Sequence, residues 1–430
     1  MAAKPESAAF FEERFHGRER ARPKDIRLPY ERDHARLVHS AAFRRLQGKT
    51  QVMGAGEGDF HRTRLTHSIE CGQIGTGLLD QLERTDLLKR LPKKWLPTAH
   101  LIEAACFAHD IGHPPFGHGG EVALQEEMWS TGGFEGNAHT LRVLTRLEKY
   151  SYRGWGINPT RRFILAILKY PVQYSDYPAE KHRHKPPKCY FNEEGDIVEW
   201  ALSGFHPEDL AQMKQLADGK PKHRTFDCSI MELADDIAYG VHDIEDIVAR
   251  NLADRDEVRS EFKKAFKTVG GSLAANVGRL DATSICNALF KSSFERKQAI
   301  SRLVSTFCTA VRVEAHRGFR HPLLRLRATL PPDHLALLRA LRQMSFSLVI
   351  ERAPVRQLER RGQQIVKSLF TALRESPKEL VPKSSWRDGQ TEASQDRRVC
   401  DYLAGMTDSY AEKVYRRLFV PGYGSSSDEL

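Results

Sequence analysis

Apolar residues along this chain recur mostly at spacings of three and four, the period of a helix with one buried face, and sustained alternation is rare. That pattern predicts helices over 33–48, 65–84, 98–111, 119–130, 135–149, 160–169, 206–217, 228–250, 254–267, 281–315, 333–350, 357–375 and 396–418. Prolines such as Pro92, Pro97, Pro159, Pro207 and Pro382 punctuate them, and Asp33 and Asn158 read as helix starts. The fold class is therefore all-α. One stretch, 171–204, breaks the pattern: rich in Pro, Tyr and Lys, it reads as a long excursion from the helical core with room for a short strand pair. The residues from Gly422 onward read as a flexible tail.

Two helical segments carry more than packing. In the first, 98–111 ends on A-H-D-I-G-H-P-P-F-G-H-G-G-E, and Pro114 and Pro115 stop the helix just beyond His109 and Asp110. The adjacent His-Asp pair is thus expected in the last turn, opening onto a loop, where it can hold one divalent metal from two directions. His67 lies upstream in R-L-T-H-S and supplies a second imidazole. The second segment is M-E-L-A-D-D-I-A-Y-G-V-H-D-I-E-D. Asp235, Tyr239 and Asp243 fall within about 80° of one another on a helix, while Leu233, Ile237, Val241, Ile244 and Val248 occupy the other side. On its own this is an amphipathic helix with a solvated acidic face. Beside a His-Asp pair, Asp235 becomes the missing carboxylate of a mixed nitrogen and oxygen shell, a donor set suited to Mn, Fe, Co, Ni or Zn. His118 and Glu121 stand three apart, so they meet if a helix begins near Gly117; a carboxylate there raises the imidazole pKa and makes His118 a natural proton donor. Arg64 precedes His67 by one helical turn on the same face.

The set His67, His109–Asp110 and Asp235 resembles the signature of the HD-domain phosphohydrolases. Longer segments narrow the resemblance: D-H-A-R-L-V-H-S-A-A-F-R-R-L-Q-G-K-T-Q-V, H-R-T-R-L-T-H-S, F-E-G-N-A-H, A-D-D-I-A-Y-G-V-H-D-I-E-D and C-D-Y-L-A-G-M-T-D-S-Y-A. They are similar to the branch containing the deoxyguanosine triphosphate triphosphohydrolases and their bacterial relatives. The resemblance implies an HD-domain helical core over 61–250, an N-terminal arm and helix over 1–60 completing it, and a C-terminal helical region over 251–430 packed on it. It also implies hydrolysis of a 2′-deoxynucleoside triphosphate to deoxynucleoside and inorganic triphosphate, with one divalent ion (Mn, Mg, Co, Fe, Ni or Zn) per active site. His67, His109, Asp110 and Asp235 would be its ligands, and His118 and Glu121 the catalytic pair. Arg64 would contact phosphate through its planar fork. Gln51 would reach the sugar 3′-hydroxyl, Tyr239 would pack on the deoxyribose and Asp243 would add a further sugar contact. His113 is open between a partner of the ligands and a substrate contact, and Lys169 is a more remote phosphate candidate. His139 departs from the family pattern, where Gln is commoner, which leaves base preference open. An effector dNTP and a ring-like homo-oligomer such as a hexamer are further implications.

Composition changes the picture only at the margins. The formal net charge is +10, concentrated in Arg14–Arg27, in 312–327 and around Arg356–Arg361. Such clusters are compatible with solvated faces, subunit contacts, nucleotides or single-stranded nucleic acid. Seven cysteines lie scattered without a C-x-x-C, and several, including Cys106 and Cys308, have apolar neighbours, which points to reduced thiols and a cytoplasmic setting. No apolar run approaches the ~18–20 residues of a membrane span. Two rival readings keep the same residues. One is another HD-type enzyme, a 5′-nucleotidase, a phosphodiesterase or a guanosine-tetraphosphate hydrolase. The other is a nucleotide-sensing or nucleic-acid-binding regulator with a weak site.

Overall fold

The computed structural model describes residues 7–17, 24–51, 62–150, 156–267, 281–385 and 395–424. It is all-α, with two minor two-stranded hairpins, Leu216–Ala217 with Lys220–Pro221 and Arg312–Ala315 with Leu326–Thr329. At the centre, the helix Arg64–Glu83 packs on both Ala99–Ala108 and Phe226–Ala249, so the three segments that carry His67, His109 and Asp235 are direct neighbours. Local chemistry starts each of these helices. Thr63, Thr98 and Thr225 are their N-caps, each side chain accepting a bond from a backbone N–H in the first turn.

The apolar side of Phe226–Ala249 is buried as the sequence predicts, with Leu233, Ile237, Val241, Ile244 and Val248 all in the core. Burying each such side chain contributes about 1.5–3 kcal/mol, enough to fix which side of this helix turns away from the core. A buried bidentate pair, Arg162 with Asp227, ties this helix to Arg161–Ile167 at 2.7 and 3.1 Å. A second cluster of buried apolar residues joins the helix Gly117–Met128 to three C-terminal helices, Ala353–Glu375, Gln395–Ala404 and Asp408–Phe419, through Leu124, Met128, Leu369, Phe370 and Leu403.

Several expected helices divide, each for a readable reason. The span 33–48 begins earlier, at Pro29, where proline occupies the first turn and the Leu28 N–H donates to Glu31. It breaks at Ser40, which caps Ala41–Arg45. Asp33 starts no helix; it is buried and accepts from Arg14 at 2.5 Å and from the Thr160 N–H at 3.0 Å. Asn158 is not a start either. It holds φ +51°, and Thr160 caps the helix that follows. The span 281–315 splits at Ser292 into Ala282–Lys291 and Ser293–Ala310, and the basic stretch after it forms the Arg312–Ala315 hairpin. Residues 206–217 give a shorter helix, Pro207–Met213, before a turn at Asp218–Gly219. Residues 135–149 pass from the helix Gly136–Arg142 into a π-turn, Val143–Leu147. The span 396–418 breaks at Thr407, which caps the helix Asp408–Phe419.

The excursion at 171–204 contains no strand pair. It has one parallel bridge, Gln173 with Tyr190, short 3-10 turns and the helix Gly195–Leu202. Its own small cluster of Val172, Tyr174, Tyr177 and Cys189 gives it shape. The tail from Ser425 lies outside the described residues. All seven cysteines are free, and all but the half-buried Cys308 are buried. No helix among the described residues is long and apolar enough to cross a membrane.

Candidate active site

The ligand atoms of His67, His109 and Asp110 lie within 4.8 Å of one another, and all three residues are buried. Asp235 faces them: its Oδ1 is 3.2 Å from His67 Nε2 and 3.4 Å from His109 Nε2. His109 and Asp110 stand immediately after the last turn of Ala99–Ala108, one step beyond the position the sequence predicts. The His109 Nδ1–H donates to the Cys106 carbonyl at 2.6 Å. A carbonyl only accepts, so this bond places a proton on Nδ1 and turns Nε2 toward the carboxylates. That Nε2 is buried and makes no well-formed hydrogen bond. Two imidazoles and two carboxylates, one imidazole already oriented by its carbonyl partner, fit a divalent cation of the Mn to Zn series.

The electrostatics describe the same concentration of charge. Burial opposes a proton on His109, but Asp110 and Asp235 outweigh it and push its pKa up to about 10. Burial by itself would raise Asp110 and Asp235. Arg64 and His109 hold Asp110 far below the ordinary carboxylate range, and His109 with Lys169 does so for Asp235. Arg64 donates to Asp110 at 2.7 Å, and Lys169 Nζ stands 3.4 Å from Asp235. Both cations therefore border the cluster.

From Asp110 the arrangement continues to the proposed acid. His113 Nδ1 is 3.1 Å from Asp110, and burial lowers the His113 pKa to about 4. Glu121 and His113 both press on Gly136, where an added Cβ would lie 3.1 Å from His113 Nε2 and 3.3 Å from Glu121 Oε1; a side chain there would disturb both. Glu121 is buried, accepts from the Gly136 N–H at 2.8 Å and stands 3.2 Å from His118 Nδ1. The helix that brings them together does begin at Gly117. The His118 side chain is 71% exposed, so the imidazole is fixed on one side and open to an incoming molecule on the other.

Tyr239 is half-buried on the Asp235 helix, with the Arg342 guanidinium 5.6 Å over its ring. One turn on, Asp243 lines a small cavity with Gln51, Arg62 and Asp246. Gln51 Oε1 and Asp243 Oδ2 are buried there with no hydrogen-bond partner among the described residues. Burial raises the Asp243 pKa well above the usual value.

His139 points elsewhere. Its Nδ1–H donates to the Gly112 carbonyl at 2.9 Å, and its ring lines a cavity of about 540 Å³ that none of the cluster residues lines. Arg142 beside it is already committed to Asp401 and Glu194. One residue near His118 escapes sequence reasoning. Lys188, from the excursion, pairs with buried Glu135 at 2.8 Å and its charge reaches Glu121 and His118. Spacing gives no hint of it; only its membership of the Lys-rich excursion did.

A family model described as the HD domain matches residues 64–169, and one described as the phosphohydrolase-associated domain matches 328–417. Curated relatives extend over nearly the whole chain. A deoxyguanosinetriphosphate triphosphohydrolase-like protein of Shewanella baltica (strain OS185) is 41% identical over 98% of this chain and 98% of its own length. One from Shewanella sp. (strain ANA-3) is 41% identical over the same shares. A deoxyguanosinetriphosphate triphosphohydrolase-like protein 2 of Deinococcus radiodurans is 41% identical over 95% of this chain and 96% of its own. With His67, His109 and Asp110 inside the matched HD segment and the likeness covering nearly the whole chain, the chain belongs to the deoxyguanosinetriphosphate triphosphohydrolase-like family of HD-domain phosphohydrolases.

Proposed function

We propose that this phosphohydrolase cleaves 2′-deoxynucleoside triphosphates between the 5′-oxygen and the α-phosphorus, releasing the deoxynucleoside and inorganic triphosphate. The observation that carries this reading is the junction of two kinds of chemistry. A cluster of buried His67, His109 and Asp110 with half-buried Asp235 stands at one end, and at the other an exposed imidazole is fixed by a buried carboxylate, His118 on Glu121. His67, His109, Asp110 and Asp235 would hold the divalent ion, which when bound polarises the phosphoryl group and activates water. Arg64 and Lys169 border the cluster, Lys188 carries its charge near Glu121 and His118, and the three would neutralise the polyphosphate. His118 would protonate the departing 5′-oxygen while Glu121 keeps it charged and aimed. The unpartnered Gln51 and Asp243 oxygens support a sugar hydroxyl donating to them, because a buried acceptor is costly until a donor arrives.

A product assay tests the reading. Incubation with a panel of dNTPs and NTPs, each with several divalent metals, should release nucleoside and tripolyphosphate in equal amounts. Release of orthophosphate or pyrophosphate instead would move the protein to another phosphohydrolase class.

The sugar pocket yields a second expected result. Tyr239 lies one turn from Asp235 and one turn from Asp243, so its ring would lie beside the sugar of a bound dNTP. Pockets that only exclude a hydroxyl discriminate by roughly 100-fold. Tyr239→Ala should narrow the dNTP to NTP ratio of kcat/KM by up to that factor, and Tyr239→Phe should leave it nearly unchanged. An Ala variant that discriminates as well as the wild type would reduce Tyr239 to packing.

A further inference from the structure

The motif C-D-Y-L-A-G-M-T-D, residues 400–408, lies far from the HD segment in sequence and has no part in the chemistry described so far. In the structure its last residue reaches the loop between Asp110 and His118. Asp408 is buried. Its Oδ1 accepts from the Phe116 N–H at 2.9 Å; its Oδ2 accepts from the Thr50 N–H at 2.9 Å and from the Thr50 hydroxyl. Phe116 is the residue that needs such a hold. It stands at φ +61°, ψ +26°, a left-handed conformation that non-glycine residues rarely adopt, and it directly precedes the helix whose second residue is His118. Its side chain packs against Gly362, where an added Cβ would lie 2.5 Å from the Phe116 Cβ. Nearby, Lys49 Nζ spans the same join, donating to the His113 carbonyl at 2.5 Å and to the Ala404 carbonyl at 2.9 Å.

We propose that Asp408 is a positioning residue for the reaction: its carboxylate clasps Thr50 to Phe116 and so sets the direction in which the Gly117–Met128 helix presents His118. The phosphohydrolase-associated segment, 328–417, thereby contributes to the catalytic geometry as well as to the fold. The inference rests on the reading of His118 as proton donor. Without the carboxylate, the Phe116 N–H loses its acceptor, residue 116 relaxes toward an ordinary conformation, and the first turn of the helix swings. A displacement near 1 Å at a reacting group costs roughly 100-fold in rate.

A double-mutant cycle tests it, with kcat, KM and bound metal measured for the wild type, Asp408→Ala, His118→Ala and the double variant. Asp408→Ala should lower kcat by about 10–100-fold with KM and metal content unchanged, and should cost less than about threefold once His118 is gone. Asp408→Asn keeps the shape and one acceptor for the Phe116 N–H, so it should lose less; if the Ala variant fails to fold, the Asn variant carries the same cycle. Equal losses from Asp408 in both backgrounds, or a loss confined to KM or to metal content, would overturn the proposal while leaving His118 as the acid. A His118→Ala enzyme with full kcat would overturn the proton-donor reading itself, and the proposal with it.

Discussion

Replacing Asp235 by Ala is expected to strip the divalent ion and lower turnover by ~10³-fold or more, while the helical fold survives. The magnitude follows from the several kcal/mol that a bound cation contributes to transition-state charge stabilisation, at 1.4 kcal/mol for each factor of ten. Asp235 is the natural weak point of the shell. It is the only one of the four proposed ligands that is half-buried rather than buried, and its Oδ1 faces both imidazoles. Removing it leaves Asp110 as the one carboxylate beside the two imidazoles and takes from Lys169 its nearest counter-charge, which disfavours a cation further. Its neighbours offer no ready replacement. Asp236 is paired with Arg342 at 2.6 Å and Glu232 with Arg224. Elemental analysis of the purified variant, beside a helical circular-dichroism spectrum and a turnover assay, checks all three parts. Stoichiometric metal with a near-normal rate would remove Asp235 from the shell.

How much of this was legible before the structure depends on the range of the interaction. The Asp235 stripe, the pairing of His118 with Glu121 and the burial of Ile237 and Val241 are short-range consequences of helical spacing, and spacing is written in the sequence. Helix boundaries proved less legible, because tertiary partners decide them. Asp33 has the chemistry of a cap, yet Arg14 and Thr160 claim its carboxylate. The strip 281–315 has one helical period throughout, yet Ser292 restarts it and the basic end pairs with Leu326–Thr329 as a strand. What periodicity could not reach is contact between residues distant in the chain. Lys188 beside His118, Lys49 under the His113 carbonyl and Asp408 on Phe116 each join segments with no common pattern. Family resemblance singled out the 400–411 motif without a role, and only the fold supplies a reason for its aspartate.

Replacing His118 by Ala should leave metal and substrate binding intact while lowering kcat by ~10²–10⁴-fold, the usual contribution of a positioned general acid. A pH series then separates an acid from a mere contact. Glu121 bonds His118 and raises its pKa above the ordinary value; burial works against this, while Glu359 adds to the rise and Lys188 opposes it. An acid must be protonated to act. The rate is therefore full below the raised pKa and is lost as pH climbs through it. Glu121→Gln keeps an oxygen for the Gly136 N–H but removes the charge that sustains the imidazolium. The basic limb of the kcat profile should consequently move to lower pH, and the variant should lose more against the wild type at pH 8 than at pH 6. Parallel profiles would mean that Glu121 does not tune His118. An intact kcat with only a raised KM in His118→Ala would make the imidazole a binding contact, and proton delivery to the 5′-oxygen would then fall to another group at the open side of the cluster.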